Sequence, residues 1–91
     1  MSSKPLKPEE IATILAVYDA CAGSTHAHQP IERIRNKFAK GLRPYAKELL
    51  EKVTRRPEVY IQRQKNKNVT YSIALNGIIL LEDMNIIPRR R

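Results

Sequence analysis

The hydrophobic period of this chain changes at Pro57, and that change limits the folds open to it. Before Pro57, apolar residues recur every three or four positions, the spacing of helices that bury one face. After it, Val59 and Ile61, then Val69, Tyr71 and Ile73, alternate with Tyr60, Gln62, Thr70 and Ser72, the two-residue period of half-buried strands. A chain of 91 residues holds one modest core, so helices and strands must share it. The expectation is a single α/β domain over residues 1–91, mostly α, in the order α-α-α-β-β-α.

Residues 1–7 are polar and read as a loose arm. Pro8 opens the first helix, with Glu9 and Glu10 in the turn where the helix dipole favours negative charge; they read as surface carboxylates. Its buried stripe is Ile11, Ile14, Leu15, Tyr18 and Cys21 or Ala22, and Gly23 ends it. After a polar loop over 24–29, Pro30 begins a second helix with Ile31, Ile34 and Phe38 inward, broken at Lys40-Gly41. Pro44 starts a third, running to about Arg55, whose inner stripe is Ala46, Leu49, Leu50 and Val53. Residues 64–68, Gln-Lys-Asn-Lys-Asn, form the tip between the strands, where Asn tolerates positive φ. Asn76-Gly77 precedes a short apolar last helix over 78–84, and residues 88–91 make a basic tail.

Charge supplies the first functional signal. Residues 1–29 carry two cations and three anions, residues 30–70 twelve and four, and residues 71–91 three and two. The net charge of +8 therefore resides in the middle segment, as a surface that grips a polyanion requires. No basic stretch has the long apolar face of a membrane-surface helix, and no 18-residue apolar span or leader pattern appears; the expectation is a cytoplasmic, nucleoid-associated protein. Cys21, the single cysteine, excludes an intrachain disulfide and reads as a small buried hydrophobe, with a bridge between two copies as the alternative. His26 and His28 have no Cys or acidic neighbours to complete a metal site, no acid completes a triad with Ser24 or Thr25, and no Gly-rich loop follows a strand. A non-enzyme without cofactor or metal is expected.

Two short helices joined by a tight turn, the second followed directly by a hairpin, resemble the winged helix-turn-helix family, including the compact forms common in archaeal genetic elements. The most specific local piece is Tyr71-Ser72-Ile73-Ala74-Leu75-Asn76-Gly77-Ile78-Ile79-Leu80-Leu81, similar to the Y-x-L-T-x-x-G-x-x-L-L run where the second wing strand enters the final helix. Ala74 departs from it, because the family usually has a capping Thr there; Asn76 is the substitute cap, or the helix starts later. The resemblance implies a third helix in the major groove and a two-stranded wing on the flanking backbone or minor groove.

On that reading Tyr45, Lys47 and Lys52 make groove contacts, and Arg33, Arg35, Lys37, Lys40, Arg43, Arg55, Arg63, Lys65 and Lys67 anchor phosphates. Asn66 and Asn68 reach sugars or phosphates, and Arg89, Arg90 and Arg91 form either a second arm or a solubilising tail. Glu48 and Glu51 share the outward face of the third helix. Either could accept from a cytosine amine, but the plainer account, preferred here, is i, i+4 pairing as Glu48–Lys52 and Glu51–Arg55. Apolar residues beyond one face of the first helix, with Ile78–Leu81, Ile86 and Ile87, predict a homodimer through the first and last helices. The expected role is double-stranded DNA binding, as a transcriptional regulator or small chromatin-like protein. The alternatives are a protein-interaction module in a larger assembly and a binder of structured RNA.

Overall fold

The computed structural model describes residues 5–65 and 67–89. Within them the order is α1 (Pro8–Ala20), β1 (Gln29–Pro30), α2 (Ile31–Arg35), a 3₁₀ helix (Lys40–Tyr45), α3 (Ala46–Thr54), β2 (Ile61–Lys65), β3 (Val69–Ile73) and α4 (Leu75–Asp83). The α/β expectation holds: four α-helices pack with one antiparallel sheet of strand order β1-β3-β2.

Helix α1 is the centre of the packing. Its buried residues are Glu10, Thr13, Ile14, Ala16 and Val17, with Cys21 just beyond, while Ile11, Leu15 and Tyr18 are only half-buried. The buried seam is thus turned away from the expected stripe, because α1 packs against α2, α3, β3 and α4 together and a wide arc of it is covered. Thr13 tolerates burial by donating its hydroxyl to the Glu9 carbonyl at 2.7 Å. The apolar excess read on this helix is partly covered, with Ile11, Leu15 and Tyr18 packed against the core but not enclosed by it. None of the large hydrophobic residues that are fully exposed belongs to α1.

The loop expected over 24–29 ends in strand structure. Gln29 pairs with Tyr71 and Pro30 with Thr70, so β3 becomes the central strand and the sheet has three strands where two were expected. Helix α2 stops at Arg35, but Phe38 is buried as expected, carried by a turn in which Lys37 N–H donates to the Ile34 carbonyl and Phe38 N–H to that of Arg35. The expected break at Lys40-Gly41 is instead a 3₁₀ helix that contains Pro44 and runs directly into α3. In α3 the expected stripe is the observed one: Ala46, Leu49, Leu50 and Val53 are buried.

The β2–β3 hairpin runs in register from Ile61 opposite Ile73 to Lys65 opposite Val69. Ile61, Tyr71 and Ile73 enter the core as the alternation predicts. Val59 does not: it precedes β2 and is exposed. Ser72, expected to face outward, is buried, so this central strand is covered on its second face as well.

Helix α4 begins earlier than expected, at Leu75, with Ala74 at the N-cap and no capping side chain. Its start is fixed by a close approach of backbones. Ala74 N–H donates to the Tyr60 carbonyl at 3.0 Å, and a Cβ on Gly77 would collide with that same oxygen and come within 2.9 Å of Ile73 Cδ1. Ile78 and Leu81 are buried, Leu80 is half-buried, and Leu75 and Ile79 are exposed, so the apolar run does not turn wholly inward.

One ion-pair corner ties the two ends of the helical layer together. Glu10, expected on the surface, is buried; its Oε1 accepts from Lys7 N–H at 2.9 Å and its Oε2 from Arg56 Nη1 at 3.4 Å. Arg56 Nε donates in turn to Glu58 Oε1 at 3.1 Å. The first contact is half of a capping box; the others hold the chain leaving α3 against the start of α1.

Candidate nucleic-acid interface

The inner stripe of α3 dictates its outer face. At 100° per residue, burial of Ala46, Leu49, Leu50 and Val53 puts Glu48, Glu51 and Arg55 at the centre of the opposite arc. Lys47 falls to one side, and Lys52 with Tyr45 to the other.

Three grooves join these residues to neighbouring elements. Lys47 and Glu51 line one with Arg63 of β2 and Tyr71 of β3, over an apolar floor of Ile31 and Val69. Arg55 and Arg63 line the next, between the end of α3 and β2. Tyr45, Glu48 and Lys52 line a third, towards Glu9 of α1. Arg63 is shared by the first two, and Lys52 and Arg55 also meet beside Lys7. Five expected site residues (Tyr45, Lys47, Lys52, Arg55 and Arg63) therefore form a connected strip where α3 meets the hairpin. All five are exposed.

The charges in the first groove are close enough to act on Tyr71. Burial pushes the Tyr71 phenol above its ordinary value, the Arg63 guanidinium opposes that rise, and the Glu51 carboxylate adds to it. The register agrees, since Arg63 is the cross-strand partner of Tyr71.

The remaining expected residues are placed otherwise. Arg33 and Arg35 on α2, Lys37 in the turn after it and Lys40 at the start of the 3₁₀ helix are exposed, but none lines the grooves above. Lys65 and Lys67 are exposed near the hairpin tip; Asn66 lies outside the described residues, as do residues 1–4 of the expected arm and Arg90 and Arg91 of the tail. Arg89 pairs with Asp83 at 3.0 Å on the surface. Arg43 is turned back onto the fold. Half-buried, it donates from Nε to the Phe38 carbonyl at 3.2 Å and from Nη2 to that of Asn36 at 3.4 Å. It supplies donors to carbonyls left free where α2 ends.

The preferred account of the two α3 carboxylates is overturned. Neither Glu48–Lys52 nor Glu51–Arg55 forms an ion pair; among the described residues the salt bridges are Arg56–Glu10, Arg56–Glu58 and Arg89–Asp83. Arg56, which sequence reasoning counted only as one more mid-chain cation, is the residue that does pair.

His26 and His28 are exposed, and among the described residues no three His, Cys, Asp or Glu side chains gather as metal ligands. Cys21 is buried, its thiol directed at the Ala27 and Tyr71 carbonyls at 3.5 and 3.9 Å, out of reach of a second copy. No helix among the described residues is long and apolar enough to cross a membrane. The chain matches no protein-family model, no curated protein and no solved structure at a significant level.

Proposed function

We propose that this domain binds double-stranded DNA as a winged helix-turn-helix module, with α3 in the major groove and the β2–β3 hairpin against the flanking backbone. One observation carries the reading: Lys47, Lys52, Arg55 and Arg63 come from a helix and a strand that are separate in sequence, yet form one exposed strip. Cations carried by a helix and by the hairpin beside it suit contact with phosphates on either side of a groove. The order of elements supports it, since a short helix, a tight 3₁₀ turn and α3 lead directly to a hairpin. Lys65 and Lys67 extend the positive surface to the hairpin tip, and Arg33, Arg35, Lys37 and Lys40 add to the field that draws a polyanion in. The biological role on this reading is transcriptional regulation, or nucleoid architecture where sequence preference is slight.

A protein-binding role has a separate observation in its favour. Leu75 and Ile79 are exposed one helical turn apart on α4, and Met84 and Ile86 are exposed just after it. A protein partner, a second copy included, would dock there.

Fluorescence anisotropy with a labelled random-sequence duplex tests the DNA reading. If about six cations contact phosphates, affinity falls roughly a thousandfold between about 50 and 200 mM salt. Replacing Arg63, Lys65 and Lys67 with Ala weakens binding to all sequences alike and flattens the salt slope. Absence of duplex binding at the lower salt concentration rejects the proposal.

A further inference from the structure

The outward face of α3 is not uniformly basic. Across its width run Lys47 with Arg63 on the hairpin side, then Glu51 and Glu48 at the centre, then Lys52 on the α1 side; Arg55 shares the central arc but lies one turn beyond Glu51, at the C-cap of the helix. Among the described residues the two carboxylates form no ion pair, although each has a cation one turn further along the helix. They are also not needed to hold the fold, because the α3 residues that enter the core are Ala46, Leu49, Leu50 and Val53. Two unpaired carboxylates in the middle of a surface that meets a polyanion weaken binding wherever they face phosphate.

The cross-section of a major groove resolves this. Its rims are phosphates and its floor is base edges, and the floor displays amino groups that donate hydrogen bonds, cytosine N4 among them. A cation–carboxylate–cation profile fits that section with each charge opposite its complement: Lys47, Arg63 and Lys52 at the rims, Glu48 and Glu51 over the bases. Laid across the backbone instead, the same face would set its carboxylates against phosphates.

Resting on the DNA-binding reading above, we infer that Glu48 and Glu51 are the base-selecting residues of this domain and that they select cytosine through its exocyclic amine. Each carboxylate accepts one hydrogen bond from an N4 amine and excludes thymine, which presents only an acceptor and a methyl group at the equivalent edge; adenine has an N6 amine, but its N7 acceptor stands beside that amine and repels a carboxylate, whereas cytosine has no acceptor of its own there. The carboxylates therefore lower affinity for DNA in general and restore it only where cytosines lie under α3.

The test compares wild-type protein with the Glu48→Ala/Glu51→Ala variant on alternating G·C and alternating A·T duplexes, by anisotropy at one salt concentration. Both positions lie outside the core, and a circular dichroism melt verifies that the variant is folded. The expected result is a wild-type preference for the G·C duplex of about tenfold or more, collapsing to near unity in the variant chiefly because A·T binding tightens. Glu51→Gln alone should shift preference towards adenine, since an amide can pair with N6 and N7 together. If the variant tightens on both duplexes by one common factor, the carboxylates only repel and the inference fails while DNA binding stands. If wild-type protein binds neither duplex, the DNA-binding reading fails and the inference falls with it.

Discussion

Replacing Gly77 with alanine sets two effects of opposite sign against each other. Gly77 lies in the first turn of α4, and glycine within a helix costs about 1 kcal/mol relative to alanine, so propensity alone makes the variant more stable. The packing says otherwise. The new methyl group would collide with the Tyr60 carbonyl oxygen, lie 2.9 Å from Ile73 Cδ1 and 3.2 Å from the Tyr60 carbonyl carbon. Ile73 is buried and has little room to move, and the Tyr60 carbonyl is held by Ala74 N–H at 3.0 Å. Relief requires shifting α4 away from the chain entering β2, which costs about 1–3 kcal/mol for overpacking and about 1 kcal/mol more for the strained hydrogen bond. The net loss is about 1–3 kcal/mol after the propensity gain, which for a domain of this size lowers Tm by roughly 5–20 °C. Thermal melts by circular dichroism read this directly. Gly41 is the control, because a Cβ there meets nothing within 4 Å; its alanine variant should melt within a few degrees of wild type. A Gly77→Ala protein that melts at or above the wild-type temperature would show that the backbones are not locked together at this point.

Two further outcomes follow from buried polar groups. Arg56→Ala leaves the Glu10 carboxylate buried with only the Lys7 N–H, a change in the class that costs about 3–5 kcal/mol; here the lower end is expected, because that N–H remains. Arg55→Ala, one residue away and exposed, should change stability by less than about 0.5 kcal/mol, and urea titrations giving the two variants equal midpoints would refute the assignment. Burial raises the Cys21 thiol above its ordinary 9.0 and the Tyr60 and Tyr71 phenols above their ordinary 10.0, so the fold favours the protonated, neutral form of all three. The contribution of these three groups to stability is therefore level below about pH 9 and falls as pH rises through the ordinary values towards the raised ones. Urea midpoints measured from neutral to strongly alkaline pH check this, and a Cys21→Ala variant should lose the earliest part of the decline.

The long-period features were legible in the sequence. The inner stripe of α3 is correct at every position, because four apolar residues at i, i+3, i+4 and i+7 allow only one buried face. The hairpin was legible for a similar reason, with Ile61, Tyr71 and Ile73 alternating against polar neighbours. What escaped depends on contacts between distant segments. β1 is two residues long and has no period to detect; it exists because β3 has a free edge beside it. The 3₁₀ helix was hidden by Gly41 and Pro44, which look like a break and a start but fit a tight turn. The α4 start was missed because it is set by the Tyr60 carbonyl and not by a capping side chain. Of the candidate site, the grouping of Tyr45, Lys47, Lys52 and Arg55 followed from helical geometry, whereas Arg63 joins them only through the packing of β2 beside α3. Arg43 and Arg56 could not be told from surface cations, since the groups they bind are backbone carbonyls and a carboxylate 46 positions away.

Strand β1 has a consequence for how this fold can vary. The chain leaves the sheet immediately after Pro30 and re-enters it at Ile61, and both points are fastened to the same strand, β3. Everything between is a closed excursion whose two feet stand on one rail. Residues on its outer side can be exchanged freely without altering where the excursion begins or ends, so new binding preferences can be written onto α3 while the frame beneath it stays the same.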